Sequence, residues 1–147
     1  MIIFAFANQK GGVGKTTSAV TLADGLARLK HRTLLVDLDP QGHLALSFGL
    51  EKSPGLYRWV CLGEPINTVR MEIRPRLDLI PGDKQTEKVK RQITLSDFLE
   101  TILADLIHET DYDVVLLDLA PSLDVLHLNG LIAADWVVIP TRPDALA

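Results

Sequence analysis

Residues 9–17 read Gln-Lys-Gly-Gly-Val-Gly-Lys-Thr-Thr and separate two stretches of very different character. Before them, residues 2–8 (IIFAFAN) form a short apolar run, which is typical of a strand buried on both faces. After them, apolar residues recur at helical spacing from Ala19 to Leu29. The sequence therefore predicts a strand, a glycine-rich turn and a helix, in that order.

A second buried strand is predicted directly after this helix, at residues 33–38 (TLLVDL), and acidic residues follow it. A strand, a helix and a second strand predict parallel strands joined by a right-handed crossover. The rest of the chain continues the alternation. Strands are predicted at 77–80, 114–117 and 136–139, and helices at 56–62, at 95–108 with Thr94 as N-cap, and from Ser122 as N-cap to about Ala134.

This alternation predicts an α/β fold in which a mainly parallel, twisted sheet carries helices on both faces. The length of 147 residues corresponds to about one domain, so residues 1–147 are interpreted as a single domain whose sheet ends after the strand at 136–140. In such a sheet, ligands bind outside the carboxyl ends of the strands. Polar segments follow four of the predicted strands, at residues 8–17, 37–41, 118–122 and 141–144.

The composition is that of a globular protein, with 47% hydrophobic and 23% charged residues. The one cysteine, Cys61, can form no internal disulfide, and no group of cysteine and histidine has zinc-site spacing. No uncharged run approaches the roughly 20 residues that a membrane-spanning helix needs. We therefore expect a protein of the reducing cytoplasm with no membrane segment.

Charge is divided unevenly along the chain. Residues 1–91 carry 14 Lys/Arg and nine Asp/Glu, whereas residues 92–147 carry one and ten. The acidic part is not expected to attract nucleic acid. The densest basic stretch, Arg70 to Arg91, contains interleaved acids and is interpreted as a solvated face.

The glycine-rich turn has the chemistry of a phosphate-binding loop. Its glycines allow the backbone to approach an anion, and the following helix N-terminus favours negative charge. Lys15 is placed to reach the terminal phosphates of a nucleoside triphosphate, and Thr16 to bind Mg²⁺. The usual first glycine is replaced by Gln9, and a second lysine, Lys10, is added five residues before Lys15.

A dinucleotide-binding loop is the nearest alternative. Gly12, Gly14 and Thr17 approximate its glycine spacing, and Asp37 stands where a ribose ligand would be expected. The run Lys15-Thr16-Thr17 favours a triphosphate with a metal ion instead, because a pyrophosphate alone does not require it.

Four segments resemble the ParA/Soj family of chromosome and plasmid partition ATPases. They are NQKGGVGKTT (8–17), LLVDLDPQG (34–42), DYDVVLLDLAPSL (111–123) and LNGLIAADWVVIPTRP (128–143), in the order and spacing of that family. The segment 50–95 matches only loosely. The family consists of P-loop NTPases with a deviant Walker A loop and is related to MinD and to the nitrogenase iron protein.

The resemblance implies a role for each matching residue. The loop would bind ATP or ADP. Lys15 would neutralise phosphate charge on the nucleotide of its own subunit, and Lys10 would reach across to the nucleotide of the partner subunit and do the same there. Asp39 would orient the attacking water. Mg²⁺ would be held by Thr16, by Asp118 and, through water, by Asp37. Leu119 to Ser122 would form a switch loop. The expected nucleotide-binding residues are Gly11, Gly12, Val13, Gly14, Lys15, Thr16 and Thr17.

The resemblance also implies a function. ATP would drive formation of a homodimer through the nucleotide face, with Gly11 at the close subunit contact. A ParB-like centromere-binding protein would stimulate weak hydrolysis in chromosome or plasmid partition. The protein would be cytoplasmic and near the nucleoid. Two alternatives remain: a nucleotide-binding module without useful turnover, and a MinD-like positioning ATPase, although no C-terminal membrane-binding helix is seen.

Family members usually continue for about another hundred residues, the size of a small further domain. We therefore expect an exposed apolar strand at 136–139, self-association through it, and weak non-specific DNA binding. Four single residues receive structural interpretations. Trp136 is expected to pack in the sheet, Cys61 to be a small core residue and Asn129 to be structural. Arg142 is interpreted as a solvated loop residue near the nucleotide edge, with a phosphate or interface contact as the alternative.

Overall fold

The computed structural model describes residues 1–96 and 100–143, which contain both strands and helices. The strands are β1 (Ile2–Phe6), β2 (Thr33–Asp37), β3 (Met71–Arg74), β4 (Leu77–Ile80), β5 (Val114–Asp118) and β6 (Trp136–Val138). The helices are α1 (Lys15–Arg28), α2 (His43–Ser47), α3 (Gly55–Leu62), α4 (Ile66–Val69), α5 (Thr86–Thr94), α6 (Ile102–His108) and α7 (Val125–Ala133).

The strands form one sheet in the order β3-β4-β2-β5-β1-β6. The edge strand β3 is antiparallel to β4, and every other neighbouring pair is parallel. The strands β1 and β2 are parallel as predicted, but β5 lies between them and pairs with both. The predicted mainly parallel α/β sheet is confirmed, whereas β3 was not anticipated from the sequence.

Successive residues of the central strands are buried on opposite faces of the sheet. Leu34 and Val36 of β2 pack with the helices α3 to α7, while Leu35 between them packs with α1 and α2. All five residues of β2 and of β5 are buried, as expected for strands covered on both sides. The layering places four polar loops at one edge of the sheet, after β1, β2, β5 and β6.

The prediction of one helix over residues 95–108 is wrong in its first part. The helix α5 ends at Thr94, which is therefore not an N-cap, and Leu95 is 87% exposed. The main-chain amide of Ser96 donates to the Ile93 carbonyl, and so does its hydroxyl, which closes the helix in a tight turn. The next helix, α6, begins at Ile102, and residues 97–99 of the prediction lie outside the described part.

The helix α5 was missed because most of its surface is polar. It buries Val89 and Ile93, four residues apart, in a stretch otherwise filled with charge. The interpretation of residues 70–91 as a solvated face is therefore wrong in part. Lys90 is largely buried and forms ion pairs of 2.9 Å with Glu87 and 2.8 Å with Asp124.

The N-cap of α7 is Asp124 and not Ser122. The Asp124 carboxylate accepts hydrogen bonds from the main-chain amides of Leu126 and His127, while the Ser122 hydroxyl donates to the same carboxylate. A carboxylate suits this position better than a hydroxyl because it also interacts with the positive end of the helix dipole. The end of the helix near Ala134 is confirmed.

The strand β6 lies at the edge of the sheet and pairs with β1 alone among the described strands. Trp136 belongs to this strand, but its side chain is 65% exposed, so the expectation that it packs in the sheet is wrong. Val137 and Ile139 are also exposed, at 46% and 62%. The expected exposure of the apolar strand is confirmed. Within the described residues, no helix is long and apolar enough to cross a membrane.

Candidate active site

The loop between β1 and α1 owes its shape to two glycines. Gly12 and Gly14 have φ values of 70° and 98°, in the left-handed region that strains other residues. Gly14 is the N-cap of α1 and offers no side chain to the helix. Because the first amides of a helix have no intrahelical acceptor, this end is suited to an anion.

A hydrogen bond joins this loop to the end of β5. The Thr16 hydroxyl donates to Oδ2 of Asp118 at 2.6 Å, and Oδ1 of Asp118 is buried without a hydrogen-bond partner. Burial raises the pKa of Asp118 to about 6, although the Thr16 hydrogen bond and the Lys15 charge oppose the shift. The unpartnered oxygen marks a place where a cation would stabilise the site.

A second buried carboxylate lies beside the first. Asp37 at the end of β2 is paired in register with Asp118 at the end of β5, and it is fully buried. Its two oxygens accept hydrogen bonds of 3.1 Å from the amides of Asp39 and Leu44. Burial raises the pKa of Asp37 to about 7, and the nearby charges of Asp118 and Asp39 act in the same direction.

The loop after β2 orients Asp39. Its Oδ1 accepts a 2.8 Å hydrogen bond from the Gln41 amide, and its carbonyl accepts one of 3.0 Å from the Gly42 amide. Gly42 has a φ of 62°, and a Cβ there would overlap the carbonyl oxygen of Gly82. A Cβ on Gly82 would in turn approach the Asp37 carbonyl oxygen to 2.8 Å. Close backbone packing against Gly82 therefore supports both aspartates.

These loops enclose a cavity of about 480 Å³. It brings the expected loop residues together with Asp39, whereas Lys10, Val13, Asp37 and Asp118 do not line it. Val13 is buried, and Lys15 is a buried cation at 8% exposure. The lining residues are Gly11, Gly12, Gly14, Lys15, Thr16, Thr17, Asp39, Gln41, His43, Leu119, Pro121 and Arg142.

Several residues of this edge were not among the site residues expected from the sequence. The Asn8 side chain accepts a 2.9 Å hydrogen bond from the Lys10 amide and donates one of 2.9 Å to the Pro140 carbonyl. His43 and Arg142 line the cavity, although they follow different strands. The position of Asn8 between strand and loop was the available signal. Arg142 stood in the polar segment after the last predicted strand, which was its signal, whereas His43 carried none that separates it from solvated residues.

The donor set suits a metal ion that arrives with a phosphate ligand. Among residues 1–96 and 100–143, no three His, Cys, Asp or Glu side chains are grouped to hold a metal by themselves. Mg²⁺ commonly takes one or two protein ligands and completes its shell with water and phosphate oxygens. The Thr16 hydroxyl and the unpartnered Asp118 oxygen fit that requirement, and Asp37 lies next to them.

Asn129 and Cys61, for which the sequence predicts structural roles, lie outside the cavity lining. Asn129 is fully buried in α7, where it donates to the Val125 carbonyl and accepts from the Leu103 amide. This network is structural, as expected. Cys61 packs against the core but is only half-buried, so its expected place in the core is confirmed in part. Its thiol forms no disulfide, and burial raises the pKa of this thiol.

Comparison with known proteins agrees with the site geometry. The family model described as an AAA domain matches residues 1–147, so the chain belongs to this family. The chromosome-partitioning ATPase Soj of Thermus thermophilus is 42% identical over 143 residues, covering 97% of this chain and 55% of the relative. The chromosome partitioning protein ParA of Caulobacter vibrioides is 40% identical over 159 residues, covering 99% of this chain and 57% of the relative.

Solved structures of known proteins also share the fold of this chain. Cobyrinic acid a,c-diamide synthase from Mycobacterium smegmatis, with bound ATP analog and magnesium, has a TM-score of 0.90 at 34% identity, over 100% of this chain and 62% of that one. A plasmid partition protein from Borrelia burgdorferi bound to AMPPNP has a TM-score of 0.81 at 30% identity, over 95% and 62%. The chain thus spans little more than half the length of the curated relatives it matches.

Proposed function

We propose that this chain binds ATP with Mg²⁺ and is the nucleotide-binding part of a ParA-type partition ATPase that switches between monomer and dimer. The observation that carries the proposal is the 2.6 Å hydrogen bond from the Thr16 hydroxyl to one carboxylate oxygen of Asp118. The second oxygen of this carboxylate is buried without a hydrogen-bond partner. The relatives at about 40% identity, which are partition proteins, support the choice of process.

The loop residues 11–17 bind the phosphate chain. Gly12 and Gly14 line the cavity with positive φ, a backbone form suited to presenting amides to an anion, and Lys15 supplies a buried positive charge. The Thr16 hydroxyl and Asp118 would hold Mg²⁺, with Asp37 acting through water. Mg²⁺, when bound with ATP, supplies positive charge that neutralises the phosphate oxygens.

Asp39 orients the attacking water. It is half-buried and lines the cavity, while the hydrogen bond from the Gln41 amide holds one of its oxygens in place. A carboxylate held in this way can accept a hydrogen bond from water near the terminal phosphate. Hydrolysis is proposed to be weak in this chain.

Lys10 acts on the nucleotide of a second subunit. Its side chain does not line the cavity of its own chain, although its amide is fixed by Asn8. This placement supports a contact across a homodimer whose nucleotide faces meet, with Gly11 at the close approach. In the dimer Lys10 would stabilise charge on the transferred phosphoryl group.

The remaining elements of the proposal concern partners. A ParB-like centromere-binding protein stimulates hydrolysis, and the protein works in the cytoplasm near the nucleoid. Binding of non-specific DNA is weak because residues 92–147 carry ten acids and one base. No contact with the membrane is proposed. If the protein rose together with liposomes in a flotation experiment, that result would favour a MinD-like function instead.

Three measurements test this proposal. Calorimetry with MgATP tests nucleotide binding, light scattering with and without MgATP tests dimer formation, and the rate of ATP turnover tests hydrolysis. We expect binding by the wild-type protein, an increase in size on adding MgATP that Lys10→Ala abolishes, and hydrolysis that Asp39→Ala abolishes. Absence of heat would refute the proposal as a whole. Binding with equal residual turnover in wild type and Asp39→Ala would identify a nucleotide-binding module without useful turnover.

A further inference from the structure

The cavity contains a cation that the phosphate loop does not supply. Arg142 lies in the loop after β6 and lines the cavity together with Lys15 and Thr16. The strand β6 is the neighbour of β1 in the sheet, so the loop after β6 emerges beside the glycine-rich loop. The two loops are distant in sequence and adjacent in space.

Asn8 connects the two loops through both ends of its amide. Its oxygen accepts from the Lys10 amide and its nitrogen donates to the Pro140 carbonyl, each at 2.9 Å. The Ala7 amide adds a 3.0 Å hydrogen bond to the Val138 carbonyl. The start of the segment that carries Arg142 is thereby held against the start of the phosphate loop.

The charge distribution makes this position unusual. Arg142 is the one Lys or Arg among residues 92–147, which contain ten Asp and Glu. Arg142 is exposed, and it stands at the cavity rather than elsewhere on this acidic part. Asp39 lines the cavity, and Asp37 and Asp118 are buried at the neighbouring strand ends. An added cation at the cavity reduces the repulsion of a polyanion by these carboxylates.

We propose that Arg142 binds the phosphate chain of the nucleotide and that Asn8 is the positioning residue that holds it there. The proposal deepens the proposed function and rests on it. A guanidinium presents several donors in a plane and can bind phosphate oxygens bidentately, which explains an arginine at this place. The earlier interpretation of Arg142 as a solvated residue is then incomplete.

The test compares Arg142→Gln with Arg91→Gln, which removes one positive charge from the exposed surface of α5 outside the cavity. Calorimetry should give a Kd for MgATP that rises about five- to tenfold in Arg142→Gln, from loss of one partly exposed charge-assisted contact. Arg91→Gln should bind as the wild type does. Arg142→Lys should recover part of the loss, because charge remains but the bidentate geometry does not.

Phosphorus and proton NMR of bound MgATP identify the part of the nucleotide that is contacted. We expect Arg142→Gln to shift a phosphate resonance while the adenine protons keep their wild-type positions. A shift of the adenine protons alone would overturn the proposal in favour of a base contact, and an unchanged Kd would overturn it altogether. Failure of the wild-type protein to bind MgATP would instead refute the proposed function.

Asn8→Ser tests the positioning role. A serine hydroxyl can still accept from the Lys10 amide but is too short to reach the Pro140 carbonyl. The substitution should weaken MgATP binding in the wild-type background and have less effect in Arg142→Gln, giving a coupling in the double-mutant cycle. Independent effects of the two substitutions would show that Asn8 does not position Arg142.

Discussion

The Thr16 hydroxyl and the Asp118 carboxylate meet across 102 residues of sequence at a distance of 2.6 Å. This contact joins the first turn of α1 to the end of the central strand β5. Oδ1 of Asp118 is buried without a hydrogen-bond partner at the centre of the candidate active site, and the nearby Lys15 charge offsets part of the cost of burying this carboxylate. Such an arrangement is costly for folding and is relieved when a cation binds.

Asp118→Asn should therefore separate stability from function. At pH 8 the substitution removes a buried charge and keeps an acceptor for Thr16, so the apo-protein should melt no lower than wild type. The increase in melting temperature that MgATP gives to the wild type should be absent. Thermal melting with and without MgATP measures both effects, with exposed Glu109→Gln as the control. Preserved stabilisation by MgATP in Asp118→Asn would contradict the assigned role.

Asp37 should make the stability of the apo-protein depend on pH. Its folded pKa of about 7 lies above the unfolded value of about 3.9, so the folded state binds more protons between these values. Raising the pH through this window therefore lowers the free energy of unfolding. From pH 5.5 to 7.5 we expect Asp37 to account for a loss of about 2 kcal/mol.

Urea unfolding at these two pH values tests the expectation. Asp118, with a pKa of about 6, should contribute a smaller loss in the same direction. Asp37→Asn should keep only that smaller dependence. Asp111 and Asp113 have lowered pKa values, so their stabilisation is lost only at more acidic pH and does not interfere. The same pH slope in wild type and Asp37→Asn would be evidence against this assignment.

Gly42→Ala should disturb the loop that carries Asp39. The residue has a φ of 62°, and its new Cβ would overlap the Gly82 carbonyl. Gly63→Ala is a matched control, since Gly63 has a φ of 64° but no atom within 4 Å of an added Cβ. We expect the control to cost about 1 kcal/mol in backbone strain, and Gly42→Ala to cost at least about 1 kcal/mol more.

Urea unfolding and ATP turnover separate the two consequences of this change. Gly42→Ala should also lose turnover, because displacement of the loop moves the Asp39 carboxylate that the Gln41 amide holds. Gly63→Ala should retain turnover. Equal losses of stability in the two variants would mean that the packing of Gly42 on Gly82 is not tight in solution.

The exposed edge strand should promote self-association without nucleotide. The strand β6 pairs only with β1 among the described strands, and Trp136, Val137 and Ile139 are largely exposed. Unpaired apolar strands add to one another through main-chain hydrogen bonds. Val137→Lys should reduce the association that light scattering detects as concentration rises. Leu29→Lys, at a residue that is 71% exposed on another part of the surface, should not. A strictly monomeric wild type would contradict the expectation.

Local sequence patterns were sufficient for the phosphate loop and the central strands. The glycines and lysines of residues 10–15 form a pattern of near neighbours that can be recognised without the rest of the fold. The runs at 33–38 and 114–117 are, apart from Asp37, composed of residues that suit a buried strand. The helix α5 could not be found in this way, because two buried residues, Val89 and Ile93, secure it to a core built by other segments. Leu95 shows the converse, an apolar residue that fits a helical pattern yet remains 87% exposed.

The amino-acid sequence by itself determined the class of fold, the loop at residues 9–17 and the aspartates that end two strands, since each depends on spacing between near neighbours. The tertiary structure alone decided that β5 lies between β1 and β2, that Asp37 and Asp118 are buried side by side, and that Arg142 lines the cavity. The reason is physical: strand order and the contacts between loops minimise the exposed apolar surface of the whole chain, and no single segment carries that information.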